Sequence, residues 1–216
     1  MRPAGREVRR YSRYAFSHRC LREQREKTSL PPRKVGEYVI IMKKHMKTKK
    51  IALASIIAAT YASLVIFLPV ISFYAWQIRI ADALLPLSTI LGIPAVIGVS
   101  IGCFIGNLFA PWGSFGLIIL DAIGGSIANL IASYIAYRIA YNKNRLLRLV
   151  ATLCEIIIVT IIVGSYLTYI FTGKIDLSPT FIATILGVFT GSVISIGVIG
   201  FTITEAIIKT LYSKNK

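Results

Sequence analysis

Residues 76–137 have the sequence WQIRIADALLPLSTILGIPAVIGVSIGCFIGNLFAPWGSFGLIILDAIGGSIANLIASYIAY. Apolar runs alternate here with short breaks at proline and glycine, and the charged side chains are limited to Arg79, Asp82 and Asp121. Charged groups are costly inside a bilayer, so their rarity favours helices that span a membrane. The stretch therefore predicts an all-α integral membrane protein.

The composition of the whole chain supports this class. It is 55% hydrophobic and 16% charged, with a mean hydropathy of +0.69, whereas a soluble globular domain carries about 25% charged residues. The 25 Lys and Arg exceed the 9 Asp and Glu, but 16 of those basic residues fall within residues 1–50. The formal charge of +16 is mainly a property of this leader.

The leader, residues 1–50, shows no sustained apolar periodicity and is predicted to be disordered or associated with anionic lipid. It does not resemble a nucleic-acid reader, so nucleic acid is not expected as a partner. An alternative is that translation begins at Met42 or Met46, which would place most of the leader outside the native protein.

Five apolar runs are long enough to cross a bilayer, whose core needs about 20 helical residues. The segment 82–91, DALLPLSTIL, is shorter and is interrupted by Pro86. Basic clusters at 43–50, 143–148 and 209–216 should share the cytoplasmic side, which requires the short segment to cross as well. We therefore predict six transmembrane helices within residues 51–212, a tail at 213–216, and both termini in the cytoplasm. The long runs are 51–73, 93–110, 115–140, 147–171 and 179–208.

The residue types argue against a metal or cofactor site. Cys20, Cys103 and Cys154 lack zinc-ligand spacing, and both histidines, His18 and His45, lie in the leader. A membrane enzyme using Asp82 and Asp121 as acid and base is the weaker alternative to a solute-binding protein. No cofactor is expected.

The candidate site lies in the predicted outer half of the membrane. Asp121 is about 9 Å into its helix, and Gly125 and Asn129 follow on the same stripe. A polar pocket for a small solute is one interpretation; the other is an Arg79–Asp82 or Arg79–Asp121 ion pair that ties helices together. The residues of the candidate pocket are Arg79, Asp82, Asn107, Asp121, Gly125, Trp76 and Trp112.

Ala54, Ala58 and Ala62 form a stripe of small side chains on the first predicted helix. Small residues let another helix approach closely, either within this chain or in a partner subunit. Near the predicted inner surface, Glu205 is expected to pair with Lys209, and Glu155 with Arg145 or Arg148.

Three ordered blocks in residues 76–137 resemble the QueT family of membrane proteins. They are R-I-x-[DE]-A-L at Arg79, G-x-x-I-G-C-x-x-x-N ending at Asn107, and D-x-x-x-G-S at Asp121. The resemblance implies a substrate-binding S component of an energy-coupling factor (ECF) transporter that takes up a queuosine precursor. It points to Arg79, Asp82, Asn107 and Asp121 as ligand-binding residues, with Gly102, Gly106, Gly124 and Gly125 allowing close approach.

The resemblance also implies the partners. An S component docks on a membrane-embedded coupling subunit, partly through small residues of its first helix, and two separate ATPase subunits hydrolyse ATP. This chain has no phosphate-binding loop motif, so it is not expected to bind ATP. The resemblance implies a transporter subunit rather than an enzyme. Asp82 stands where Glu is expected in the family, which leaves open an S component for another vitamin or purine-like solute. A non-transport structural membrane protein is the remaining alternative.

Overall fold

The computed structural model describes residues 32–73, 78–174 and 178–213. Its contacts divide the chain into two compact units, Met1–Thr48 and Lys49–Lys216. The described residues are almost entirely helical and contain no strand. The elements are α1 (Pro32–Phe67), α2 (Pro69–Phe73), a 3₁₀ segment (Ile80–Leu87), α3 (Ser88–Leu91), α4 (Ile93–Asn107), α5 (Phe115–Ala140), α6 (Arg145–Thr172), α7 (Pro179–Ser192), a π-helical segment (Val193–Gly200) and α8 (Phe201–Ser213).

The boundaries of these helices follow from local chemistry. The first predicted span, 51–73, is broken after Phe67, where Pro69 begins α2. The side chains of Asn144 and Ser178 accept the backbone N–H groups of Leu147 and Phe181, which caps α6 and α7. Residues 32–50 belong to α1, residues 1–31 lie outside the described residues, and the expectation for the leader stays a prediction.

Four helical stretches are long and apolar enough to cross a membrane: Lys47–Phe67, Phe115–Ala140, Arg145–Thr172 and Pro179–Thr210. Two shorter apolar stretches, Ile80–Leu91 and Ile93–Asn107, accompany them. The 15 residues of α4 extend about 22 Å, which is less than the ~30 Å hydrocarbon core. Large apolar side chains are exposed around the four long stretches, including Ile127, Leu153 and Phe189. The chain is an all-helical, multi-pass membrane protein.

Side-chain contacts establish the direction of each helix within the second unit. Gly98 of α4 lies against Ala54 of α1, and Gly106 lies against Val65, so α1 and α4 run parallel. The pairs α4–α5, α5–α6 and α6–α7 are antiparallel. For the last pair, Gly164 lies against Ile185, and Gly197, in the π-helical segment that follows α7, lies against Ile156. The bundle therefore has two ends, which we call the basic end, containing residues 141–148, and the opposite end, containing residues 108–114.

The short stretches Ile80–Leu91 and Ile93–Asn107 meet in a tight turn at Gly92. Its φ of 69° lies in the left-handed region that favours glycine. A Cβ at this position would approach the Tyr141 ring to 2.9 Å. The N–H of Asn142 donates to the Thr89 carbonyl at 3.0 Å. The turn therefore lies at the basic end, beside the loop between α5 and α6.

Two expected ion pairs differ in the structure. Glu205 pairs with Arg148, at 2.7 Å between the carboxylate oxygen and Nε, and with Arg145 at 3.8 Å, rather than with Lys209. Because α6 and α8 are in contact, an arginine from the neighbouring helix reaches this carboxylate. Glu155 is not neutralised by either arginine, and both of its oxygens lack a hydrogen-bond partner among the described residues.

The stripe of Ala54, Ala58 and Ala62 faces the interior of this chain. Ala58 and Ala62 are buried, and Ala58 contacts Gly102 of α4. The structure therefore gives these alanines an intramolecular packing role, and their docking to a partner subunit stays a prediction.

Substitution of Gly102 tests the close contact between α1 and α4. In Gly102→Ala the new Cβ would lie 2.6 Å from Tyr61 Cβ and 2.7 Å from the Ala58 carbonyl oxygen, so we expect a loss of about 1–3 kcal/mol in the free energy of unfolding. Gly116→Ala is the control, because its nearest neighbour would be 3.9 Å away and alanine favours helix by up to about 1 kcal/mol. Unfolding of both variants in detergent measures the difference. Equal stability of the two variants would contradict the packing described here.

Candidate functional site

Asp121 is the centre of a buried polar network near the opposite end. Its carboxylate accepts the Trp112 indole N–H at 2.8 Å and the Tyr166 hydroxyl at 2.8 Å. Asn107 Nδ2 donates to the same carboxylate at 3.2 Å and to the Asp121 backbone carbonyl at 3.0 Å. Asp121 is fully buried. Three donors from three different parts of the chain therefore hold this carboxylate in one orientation.

Asp82 is the second buried carboxylate of the network. It accepts the Tyr61 hydroxyl and, at 3.5 Å, Nδ2 of Asn129. Asn129 also donates to the Tyr61 hydroxyl at 2.9 Å, and the Ser133 hydroxyl donates to the Asn129 carbonyl at 2.5 Å. The 3₁₀ segment, α1 and α5 thus meet at Asp82.

Arg79 lies near both carboxylates, and the structure shows no direct ion pair from it to either one. The guanidinium interacts electrostatically with both Asp82 and Asp121. Among the described residues its hydrogen-bond acceptor is Cys103 Sγ at 3.7 Å, and its Cζ is 5.5 Å from the centre of the Phe73 ring. Direct Arg79–Asp82 or Arg79–Asp121 pairing, the alternative interpretation of the sequence, is therefore not the arrangement observed.

Gly125 makes room for the network. A Cβ there would lie 2.7 Å from Asn107 Nδ2, 3.1 Å from Cys103 Sγ and 3.3 Å from the Tyr166 hydroxyl. Any larger residue would push Asn107 and Tyr166 away from Asp121. The absence of a side chain at Gly125 is thus required for the hydrogen bonds of the carboxylate one turn away.

Aromatic rings lie beside the network. Trp112 contacts Phe73 and Phe171 in edge-to-face geometry, with ring centroids 5.8 Å and 5.7 Å apart. Since the Trp112 indole N–H is bonded to Asp121, the orientation of this ring depends on the carboxylate. The aromatic cluster and the polar network are one unit.

Six of the seven residues predicted for the pocket are brought together here, and the seventh, Trp76, lies outside the described residues. The prediction did not include Tyr61 or Tyr166. Tyrosine within an apolar helix needs a partner for its hydroxyl, and that requirement is the signal that could have identified both. The polar network comprises Tyr61, Arg79, Asp82, Asn107, Trp112, Asp121, Asn129 and Tyr166.

The chemistry of this arrangement suits recognition of a polar, planar solute. Two carboxylates accept N–H donors, Arg79 donates to a carbonyl, and Asn107 Oδ1 has no hydrogen-bond partner among the described residues. The part of the chain that the structure describes has no group of three or more His, Cys, Asp or Glu able to hold a metal ion.

Removing the Tyr166 hydroxyl tests how tightly the network depends on its donors. Tyr166→Phe leaves the buried Asp121 carboxylate with one donor fewer, and we expect a loss of about 1–3 kcal/mol in unfolding free energy. Tyr169→Phe, one turn away on α6, is the control, because Tyr169 is 42% exposed and its change should stay within about 0.5 kcal/mol. Unfolding measurements in detergent compare the two, and equal effects would contradict a structural role for the Tyr166–Asp121 bond.

Comparison with known proteins identifies the transporter family. The family model described as QueT transporter matches residues 51–209, which is most of the chain and contains every residue of the polar network. No curated protein and no solved structure matches the chain. The family is one of transporters rather than enzymes, in agreement with the membrane helices. The chain is a multi-pass membrane protein that belongs to the QueT transporter family.

Proposed function

We propose that this protein is the substrate-binding S component of an ECF transporter and that the polar network binds a queuosine precursor of the deazaguanine type. The observation that carries the proposal is the pair of buried carboxylates, Asp82 and Asp121, both of which interact electrostatically with the buried Arg79 guanidinium. Buried ionisable residues in a membrane protein mark solute or ion sites by default.

The hydrogen-bonding groups of a deazaguanine complement those of the network. The base carries a ring N–H and an exocyclic amine side by side, which one carboxylate can accept together. Its carbonyl can accept from Arg79, and Asn107 Oδ1 provides a further acceptor. A second carboxylate suits the aminomethyl cation of one precursor, and Trp112 provides an aromatic face for the ring.

Binding exchanges internal partners for ligand partners. Tyr61, Asn129, Trp112 and Tyr166 satisfy the two carboxylates without a ligand. A ligand that offers N–H groups can replace part of these donors, so the carboxylates never have to remain buried without partners. We infer that entry requires movement of the aromatic cluster around Trp112.

Six crossings with both termini in the cytoplasm form part of the proposal. Successive crossings alternate in direction if Ile80–Leu91 counts as one crossing and if α7, the π-helical segment and α8 count together as another. The Gly92 turn brings Ile80–Leu91 to the basic end. Lys143, Arg145 and Arg148 lie at this end, which the positive-inside rule assigns to the cytoplasm. The short length of the Ile80–Leu91 segment is tolerable because protein surrounds it. Its buried residues are Ala81, Asp82, Ala83, Leu85, Pro86, Leu87, Ser88 and Thr89.

Binding measurements with paired deazaguanines test the site. We expect Asp82→Asn and Asp121→Asn each to weaken binding roughly 10- to 100-fold, since a hydrogen bond to a charged group contributes about 1.5–3 kcal/mol. Each variant is tested with a ligand that carries the aminomethyl group and with one that lacks it, to show which carboxylate binds the amine. The variant that loses the preference for the aminomethyl form identifies the residue that binds the amine.

Glu205→Gln is the control for this experiment, because Glu205 lies at the basic end and pairs with Arg148 outside the network. It should bind both ligands as the unmodified protein does. Unchanged affinity in both Asp82→Asn and Asp121→Asn would refute the proposed site.

A surface for the coupling subunit is also available on α1. Because Ala58 and Ala62 are buried within the chain, docking through the predicted stripe would require α1 and α4 to separate. Ala52, Ser55, Ala59 and Ser63 form an exposed stripe of small residues on another face of the same helix. We propose that this exposed stripe contacts the coupling subunit.

Substitutions of two adjacent alanines, Ala58 and Ala59, distinguish the buried stripe from the exposed stripe. Ala59→Leu should leave ligand binding unchanged and reduce co-purification with the coupling and ATPase subunits at least tenfold, because a larger side chain prevents close helix approach. Ala58→Leu should instead destabilise the chain itself, through its contact with Gly102. Intact complex formation by Ala59→Leu would exclude the exposed stripe as the docking surface.

A further inference from the structure

Glu155 lies outside the polar network and has no assigned role. It is about three turns into α6, is 0% exposed, and is surrounded by the packed core. Neither of its carboxylate oxygens has a hydrogen-bond partner among the described residues. An unpaired carboxylate in such surroundings is strongly unfavourable, since the charge has lost its water without gaining a partner.

Among the described residues, no basic side chain forms an ion pair with Glu155. Arg148 lies two turns before Glu155 on the same helix, and it forms an ion pair with Glu205. The elements packed against α6 are α5, α7, α8, the 3₁₀ segment and the π-helical segment. Of these, α7 and the π-helical segment carry no titratable residue. The titratable side chains that the structure describes on the others are Asp121, Tyr134, Tyr137 and Arg138 on α5, Asp82 on the 3₁₀ segment, and Glu205 and Lys209 on α8.

A buried hydroxyl group near Glu155 is also unsatisfied. Ser88, which ends the 3₁₀ segment, is close enough to interact with the Glu155 carboxyl. Even so, Ser88 Oγ has no well-formed hydrogen bond among the described residues. A buried carboxyl and a buried hydroxyl thus lie close together, and neither has a well-formed hydrogen bond within the part of the chain that the structure describes.

Irregular helices border this region. The 3₁₀ segment and the π-helical segment pack against each other, where a Cβ on Gly200 would lie 2.7 Å from the Ala83 carbonyl oxygen. Pro86 has no N–H, so it cannot donate to Ala83 three residues earlier. The 3₁₀ segment, whose end carries Ser88, is thus irregular at Pro86, where it packs against the π-helical segment.

We propose that Glu155, with Ser88, forms an intramembrane site for a monovalent cation, either a proton or Na⁺. Either occupant neutralises the carboxylate, and the Ser88 hydroxyl oxygen coordinates the ion or accepts the hydrogen bond of the protonated carboxyl. The site is distinct from the polar network, because neither Glu155 nor Ser88 forms a side-chain hydrogen bond with a residue of that network in the described part of the chain.

The cation site and the polar network share one short segment. Asp82 and Ser88 both belong to Ile80–Leu91, and Asp82 interacts electrostatically with Glu155. Neutralising Glu155 removes a like charge, which favours the ionised form of Asp82 that accepts ligand N–H groups. By linkage, ligand binding then strengthens cation binding by the same factor. This coupling rests on the proposed function, whereas the cation site itself does not.

The cation site is tested first without any ligand. The full chain is purified in detergent, and its thermal unfolding midpoint is measured between about pH 5 and about pH 9, with NaCl replaced stepwise by choline chloride at constant ionic strength. If Na⁺ is the occupant, the midpoint at high pH falls by about 2–4 °C for each tenfold loss of Na⁺. If a proton is the occupant, the folded state loses stability as the pH rises, regardless of Na⁺.

Matched variants identify the residue responsible. Glu155→Gln removes the charge and should abolish the dependence on Na⁺ or pH, whereas Glu205→Gln should retain it. Should Glu155→Gln fail to fold, Ser88→Ala keeps the carboxyl and should shift the half-saturating Na⁺ concentration or the midpoint of the pH dependence. The proposal is wrong if the unmodified protein shows neither dependence, or if Glu155→Gln or Ser88→Ala shows the same dependence as the unmodified protein.

The linkage to the polar network is measured separately, with an aminomethyl deazaguanine as the probe. Its affinity should rise with Na⁺ or with falling pH in the unmodified protein and become independent of both in Glu155→Gln. Absence of probe binding combined with an intact cation dependence of stability would refute the proposed substrate while retaining the cation site.

Discussion

Inside a bilayer no water is available to satisfy buried polar groups, and each of them must find a partner within the protein. Asp121 shows how this chain meets the requirement, because Trp112, Tyr166 and Asn107 all donate to its carboxylate. These donors come from the loop before α5, from α6 and from α4. Three parts of the fold are therefore positioned by one carboxylate, and Gly125 provides the space they need.

Under the proposed function, the same constraint explains how the network could exchange internal donors for those of a solute. A carboxylate that is fully satisfied by the protein costs little to keep buried, yet each donor can be replaced by a ligand N–H of similar strength. Trp112 links the chemistry to the aromatic cluster, since it bonds Asp121 and contacts Phe73 and Phe171. Ligand binding and movement of these rings are thus physically connected.

The Ile80–Leu91 segment connects the two halves of the bundle. It carries Asp82 in the polar network and Ser88 beside Glu155, and Gly92 ends it at the basic end. Its 3₁₀ geometry follows from a short apolar stretch interrupted by Pro86. A short, irregular and deeply buried segment is well suited to transmit a local change in charge, because few side chains on it can move independently.

The sequence by itself determined the membrane class, the helical fold, most helix boundaries and the grouping of Arg79, Asp82, Asn107 and Asp121, since hydropathy and rare polar residues are local properties. Helical periodicity could not decide which face of α1 points inward, so Ala58 and Ala62 became packing residues against α4. The tertiary structure alone decided that Tyr61 and Tyr166 complete the network and that Arg148 pairs with Glu205. It also decided that Glu155 has no hydrogen-bond partner in the part of the chain that the structure describes. These contacts join residues far apart in the chain, and their partners depend on helix rotation and on the space left by glycines.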